Sequence, residues 1–260
     1  MVYDEFVEEL PRLKQRAVEI LREHNNKKSF DNFYNCMKEN TAYMKYCRGG
    51  EVLHRGILCP NFFQDWITGG MRRGRYVKSL RTGHNAFKYH FDKSDSLICV
   101  EVNSSIPDIF EFQFYERNIC WGIQYGTELV AGKQWIADIY CTMINAGRVE
   151  MDLLFMCTRT DQNKIIKTSA WLFDYKNDVP ISITERIDGF DVNLPGGVRY
   201  TFSQEDYTLY TNAEGEVESY SYISRCDFLT REYPPFSPPK PLKKDSWQNV
   251  YGMVKCCSST

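Results

Sequence analysis

Val149-Glu-Met-Asp-Leu-Leu-Phe155 sets apolar Val149, Met151, Leu153 and Phe155 against acidic Glu150 and Asp152. Successive side chains of an extended chain point to opposite faces, so this alternation marks a strand with one face buried. The same period recurs on both sides. Phe110, Phe112 and Phe114 alternate with Glu111 and Gln113, and Trp171, Phe173 and Tyr175 share one face of a run that begins at Thr168. Turn-forming residues separate the runs: Ser94-Asp95, Ser104 to Asp108, Asn145-Ala146-Gly147, Asp161-Gln162-Asn163, Asn177-Asp178, Pro195-Gly196-Gly197 and Asn212 to Gly215. The spacing predicts about ten strands between residues 74 and 225. Helical signals do not intervene, so the strands are expected to be joined as hairpins rather than parallel crossovers. The expected fold class is mainly β (α+β): an antiparallel up-and-down meander or barrel preceded by two or three helices. Closure or sheet packing would hide the edges, and a barrel of about eight to ten strands holds one small ligand.

Upstream the period changes to that of a helix. Phe6, Leu10, Leu13, Ala17 and Leu21 form one stripe between Asp4 and His24, with Asp4 as a cap and Pro11 expected to kink or restart the helix. Ser29 reads as a second cap, ahead of Phe33, Cys36, Met37 and Met44, with Gly49-Gly50 as the stop. A third short helix is expected from Pro60 to about Thr68. Downstream, Tyr233-Pro-Pro-Phe-Ser-Pro-Pro-Lys-Pro241 is expected to run as extended polyproline outside the sheet. The chain therefore divides into a helical segment packed on the sheet (1–70), a β barrel or curved sheet (71–232) and a Pro-rich arm and tail (233–260).

Composition narrows the function classes. The 260 residues carry a formal net charge of -2, so no global field draws the chain to nucleic acid or anionic lipid. No apolar stretch approaches the about 20 residues of a spanning helix, and the acidic start lacks a leader-type run. The sequence reads as cytoplasmic. The 10 cysteines include no C-x-x-C, so they read as reduced, small apolar residues, and no metal site is expected. Motifs for phosphate-binding loops, serine hydrolases and zinc proteases are missing, so no cofactor is expected.

The densest chemical feature runs from Gly69 to His84 and includes Arg72, Arg73, Arg75, Lys78 and Arg81. Guanidinium forks match carboxylate or phosphate, which makes this an anion-anchoring strand; the competing reading is a solvated basic face. At strand period Arg73, Arg75 and Arg81 share a face with Val77, while Tyr76 and Leu80 share the other. His84 and His90 lie about 20 Å apart along a strand, too far to hold one metal. Trp121, Trp135 and Trp171 fall in strands, where they line either a core or a ring-walled pocket. Pro235, Pro238 and Lys240 fit a P-x-x-P-x-K pattern that aromatic grooves bind.

Gly74-Arg-Tyr76 followed by Ser79-Leu-Arg81-Thr82-Gly-His84 resembles the opening strand of calycin, or lipocalin-like, barrels, with Tyr76 where tryptophan is usual. With Phe62-Phe63 ahead of it, the string is most similar to the S-type phycobilin lyases. The resemblance implies a barrel pocket for a flat or apolar organic ligand, with Arg81 facing a ligand carboxylate. The leading expectation is a non-catalytic small-molecule-binding protein for a flat acidic ligand, using Arg73, Arg75, Arg81, His84, Trp121, Trp135 and Trp171. Two alternatives are a cofactor-independent lyase or isomerase on the same scaffold, and a protein-interaction module of immunity or inhibitor type meeting its partner through the sheet or the Pro-rich arm.

Overall fold

The computed structural model describes residues 3–50, 54–67, 74–79, 86–103, 109–127, 134–157, 164–191, 199–226, 229–238 and 240–243. Helices α1 (Tyr3–His24) and α2 (Lys27–Asn40) lead into strand β1 (Tyr43–Arg48); a 3-10 turn (Gly56–Leu58) and α3 (Phe62–Ile67) follow. The remaining strands are β2 (Arg75–Val77), β3 (Ala86–Phe91), β4 (Leu97–Asn103), β5 (Ile109–Glu116), β6 (Ile119–Thr127), β7 (Gln134–Asn145), β8 (Arg148–Cys157), β9 (Ile165–Lys176), β10 (Val179–Asp191), β11 (Arg199–Thr211), β12 (Val217–Cys226) and β13 (Leu229–Phe236). All belong to one antiparallel 13-stranded sheet in which β3 to β13 are joined in chain order and β1 sits between β3 and β2. The up-and-down fold class expected from the alternation is present. The sheet is open: β2 and β13 are its two edges and do not pair with each other.

Local chemistry explains where the elements differ from expectation. α1 runs uninterrupted through Pro11. α2 is capped by the Asn26 side chain, which accepts from Ser29 N at 2.9 Å, rather than by Ser29 itself. It stops at Asn40, where Thr41 turns extended and bonds back to the Met37 carbonyl. Met44, which continues the apolar helical spacing, therefore lies in a strand, with Tyr43–Arg48 paired along β3. α3 begins at Phe62 behind an Asn61 cap, later than the proline start expected. Tyr233 to Phe236 joins the sheet as part of the edge strand β13 instead of standing outside it, which an edge position permits a proline-containing strand to do.

The sheet is covered on both faces. Phe6, Leu13, Ala17, Ile20 and Leu21 of α1, with Phe30 and Met37 of α2, pack on Phe112, Trp121, Ile123, Ile139, Leu153 and Phe155. Fully burying each large side chain contributes roughly 1.5–3 kcal/mol. Arg16 fastens the helix by a 2.7 Å pair with Glu116, whose other oxygen accepts from the Trp121 indole at 3.1 Å. On the opposite face Phe62, Phe63 and Trp66 of α3 meet Trp171, Phe173, Ile183, Tyr207 and Tyr220. This second layer places residues 54–58 over β5 to β7.

Candidate functional site

Two features stand out on the face covered by residues 54–67. The first is an ionic centre. Glu111 of β5 lies on the minor, polar face of its strand and is buried. Arg55 reaches it with Nε at 2.8 Å and Nη2 at 2.6 Å, both to Oε1, while His54 Nε2 sits 2.8 Å from Oε2. The His54 ring stacks on Tyr140 of β7, with centroids 3.5 Å apart and planes 10° from parallel. The Arg55 carbonyl accepts from the Tyr89 hydroxyl at 2.8 Å, which fixes the left-handed turn at Arg55.

Burial alone would push the Glu111 carboxyl up. The Arg55 charge, then His54, overcomes it and holds the group at about 2. Glu111 is thus a carboxylate throughout the neutral range, and Arg55 is held charged beside it. Asp138, two residues before Tyr140 on β7, has no such partner among the described residues. Burial first, and Glu111 second, push its carboxyl up to about 7. Asp152 of β8 is also raised by burial, against the pull of His54 and Arg55, and accepts from the Thr142 hydroxyl at 2.8 Å.

The second feature is a cleft of about 360 Å³ at the β1–β2 end, lined by Met44, Lys45, Tyr46, Tyr76, Val77 and Lys78. The Lys45 ammonium lies 5.7 Å from the Tyr76 ring centroid and 5.1 Å from that of Phe91, so it is cupped by rings rather than by carboxylates. Arg48 of β1 lies directly opposite Arg75 of β2 in the register. Like charges facing across a ladder destabilise it unless something neutralises them. Among the described residues, none of Lys45, Arg48, Arg75 and Lys78 pairs with a carboxylate. The two features touch: Tyr76 packs edge-on against Tyr89, 6.4 Å between centroids, and Tyr89 holds Arg55. A smaller cleft of about 190 Å³ between α2 and the sheet contains Phe33, Met37, Asn40 and Asp92; it offers an acidic ligand a carboxylate and no cation.

The residues singled out from the sequence are placed as follows. Arg75 is exposed on the edge strand beside the cleft. Arg73, Arg81 and His84 lie outside the described residues. Trp121 and Trp171 sit on opposite faces of the sheet, one under α1 and one under α3, so they do not converge on one ligand. Trp135 is half-buried against Gly126. His90 is buried between Thr41 and Glu101, with ring nitrogens at 3.2 and 3.3 Å from them. No group of metal-ligating side chains occurs among the described residues.

The arrangement defines an open antiparallel meander, layered on both faces, with a basic aromatic cleft at one edge and a buried ionic centre behind it. The chain matches no protein-family model and no curated protein. Among the described residues no helix is long and apolar enough to cross a membrane.

Proposed function

We propose that this protein is a non-catalytic small-molecule-binding protein whose flat, acidic organic ligand seats in the β1–β2 cleft. The observation that carries the reading is the composition of that cleft: Lys45 and Lys78 are its cations, and Tyr46 and Tyr76 its rings. An anion entering there meets the Lys45 and Lys78 ammonium groups, and a flat ring finds phenol faces to cover. The edge cleft takes the role that the resemblance to lipocalin-like barrels assigns to a barrel interior, and Lys45 and Lys78 take the anchoring role expected of the arginines.

The test uses freshly purified protein, native mass spectrometry and a planar aromatic carboxylate, 2-naphthoate, as probe. The expected result is thermal stabilisation of the wild type by the probe. Replacing both Lys45 and Lys78 by alanine should weaken binding at least about tenfold, equivalent to about 1.4 kcal/mol, with the ligand-free melting temperature unchanged. Equal affinity in wild type and double variant, or no stabilisation of the wild type, would overturn the assignment.

A further inference from the structure

We propose that the three rings around Lys45, those of Tyr43, Tyr76 and Phe91, form a site for the quaternary ammonium group of a small molecule, a site in which Lys45 is the stand-in occupant. The register brings the rings together. Tyr43, Lys45 and Cys47 share one face of β1; Phe91 of β3 lies opposite Tyr43, and Tyr76 of β2 lies opposite Cys47. Residues opposite each other across a ladder point to the same side, so three neighbouring strands each give one ring to the face that carries Lys45. The Lys45 ammonium lies 5.1 Å from the Phe91 centroid and 5.7 Å from those of Tyr43 and Tyr76. A cation within about 6 Å of a ring centroid is attracted by the ring quadrupole, and one ammonium meets that condition here three times.

The rings are held in place by contacts that do not involve Lys45. Phe91 is buried and stacks on Tyr43, with centroids 5.0 Å apart and planes 8° from parallel. The Tyr43 hydroxyl donates to the Asp95 carboxylate at 2.9 Å, which fixes that ring and enriches it in electrons. Tyr76 stands edge-on to Tyr89, whose hydroxyl is in turn held by the Arg55 carbonyl. The site is open to solvent, since Tyr76 is 41% exposed and both it and Lys45 border the β1–β2 cleft.

The chemistry of the rings selects the ligand. A lysine ammonium is strongly hydrated and carries three N–H donors, for which a ring face offers no lone pair. A quaternary ammonium has no N–H to satisfy, holds its water weakly and covers the rings with methyl groups, which is the type of cation that aromatic cages recognise. Lys45 is exposed and flexible, so it can leave the rings when such a group enters. Lys45 is then a competitor for the rings, and removing it should strengthen binding. The acidic ligand proposed above uses Lys45 as an anchor, so the same substitution moves the two ligands in opposite directions, and either reading can fail without the other.

The experiment is an NMR titration at constant ionic strength with choline and its neutral isostere 3,3-dimethyl-1-butanol as probes. The expected result is binding of choline by the wild type, with the alcohol at least about fivefold weaker. Lys45→Ala should bind choline at least about fivefold more tightly than wild type, and adding Tyr76→Leu should cancel that gain. Lys78→Ala removes a like charge from the same cleft and leaves Lys45 over the rings, so its choline affinity should stay within about twofold of wild type. All three substituted side chains are exposed, and melting curves confirm that each variant is folded. No binding of choline by the wild type, an alcohol bound as tightly as choline, unchanged affinity in Lys45→Ala, or an equal gain in Lys78→Ala would each overturn the proposal, the last because it would reduce the effect to net charge.

Discussion

At the scale of single residues, the ionic centre depends on a side chain that is missing. A Cβ at Gly122 of β6 would intrude on Glu111 Oε1 and Arg55 Nη2, and both partners are enclosed, with nowhere to retreat. Gly122 has no positive φ, so on backbone entropy alone Gly122→Ala would stabilise the protein by roughly 0.4–1 kcal/mol. Crowding of a buried ion pair reverses the sign. The expected outcome is a loss of about 2–4 kcal/mol, read from urea unfolding at neutral pH. A stabilised Gly122→Ala protein would show that the pair rearranges freely. The centre itself was not legible in the sequence. Glu111 reads there as the solvent side of an alternating strand, and its partners lie 57 and 56 residues away, beyond any local period. His54 has no neighbour in sequence that marks it. The one signal was the glycine interrupting the β-rich Cys120-Trp-Gly-Ile123 run, since a strand glycine often marks a close approach of other atoms.

At the scale of elements, alternation was legible wherever one strand face is buried. Val149 to Phe155 reads as a strand and is one, with burial alternating along all of β8. The reading failed where two periods agree over a short stretch. Met44 falls on a helical spacing from Met37, yet Thr41 ends the helix and the register with β3 takes over. The Pro-rich segment failed for another reason: it is extended, but as a paired strand rather than a free polyproline arm, because its destination is set by tertiary contacts. Phe236 pairs opposite Tyr220, the Lys240 carbonyl accepts from the Trp66 indole at 2.7 Å, and Leu242 bridges back to Val217 and is buried. Much of the proline motif is thus tied down against α3 and β12. Trp66→Phe keeps most of the ring packing and deletes the hydrogen bond, worth about 1 kcal/mol. Its expected effect is local: tryptic cleavage after Lys243 should speed up several-fold, with the global unfolding midpoint little changed. A cleavage rate equal to wild type would mean that Leu242 alone holds the segment.

At the scale of the whole molecule, the polar groups buried on one face impose a pH dependence opposite to that of most proteins. Glu111, held down at about 2 against an ordinary 4.5, contributes stability that is fully present above pH 4.5 and is lost as pH falls towards 2; the shift corresponds to about 3 kcal/mol. Asp138 works the other way. Its carboxyl is at about 7 when folded and 3.8 when unfolded, so the folded state binds the proton more tightly. The cost of ionising it is absent below pH 3.8, grows as pH rises, and is complete above 7, at up to about 4 kcal/mol. Glu185 of β10 adds to this: burial, then the facing Glu205 of β11, lifts it to about 7 from 4.5. The Glu205 carboxylate accepts from the Tyr207 hydroxyl. Above about pH 5 Glu111 adds no further stability, while Asp138 and Glu185 both make stability fall as pH rises towards 8. Urea unfolding at about pH 5 and about pH 8 measures the decline, and Asp138→Asn combined with Glu185→Gln should flatten it, because an amide has no proton to lose. A wild-type midpoint equal at both pH values would mean that these carboxyls meet water in the folded state. The buried-face account would then fall, while the basic cleft, which does not depend on these carboxyls, would stand.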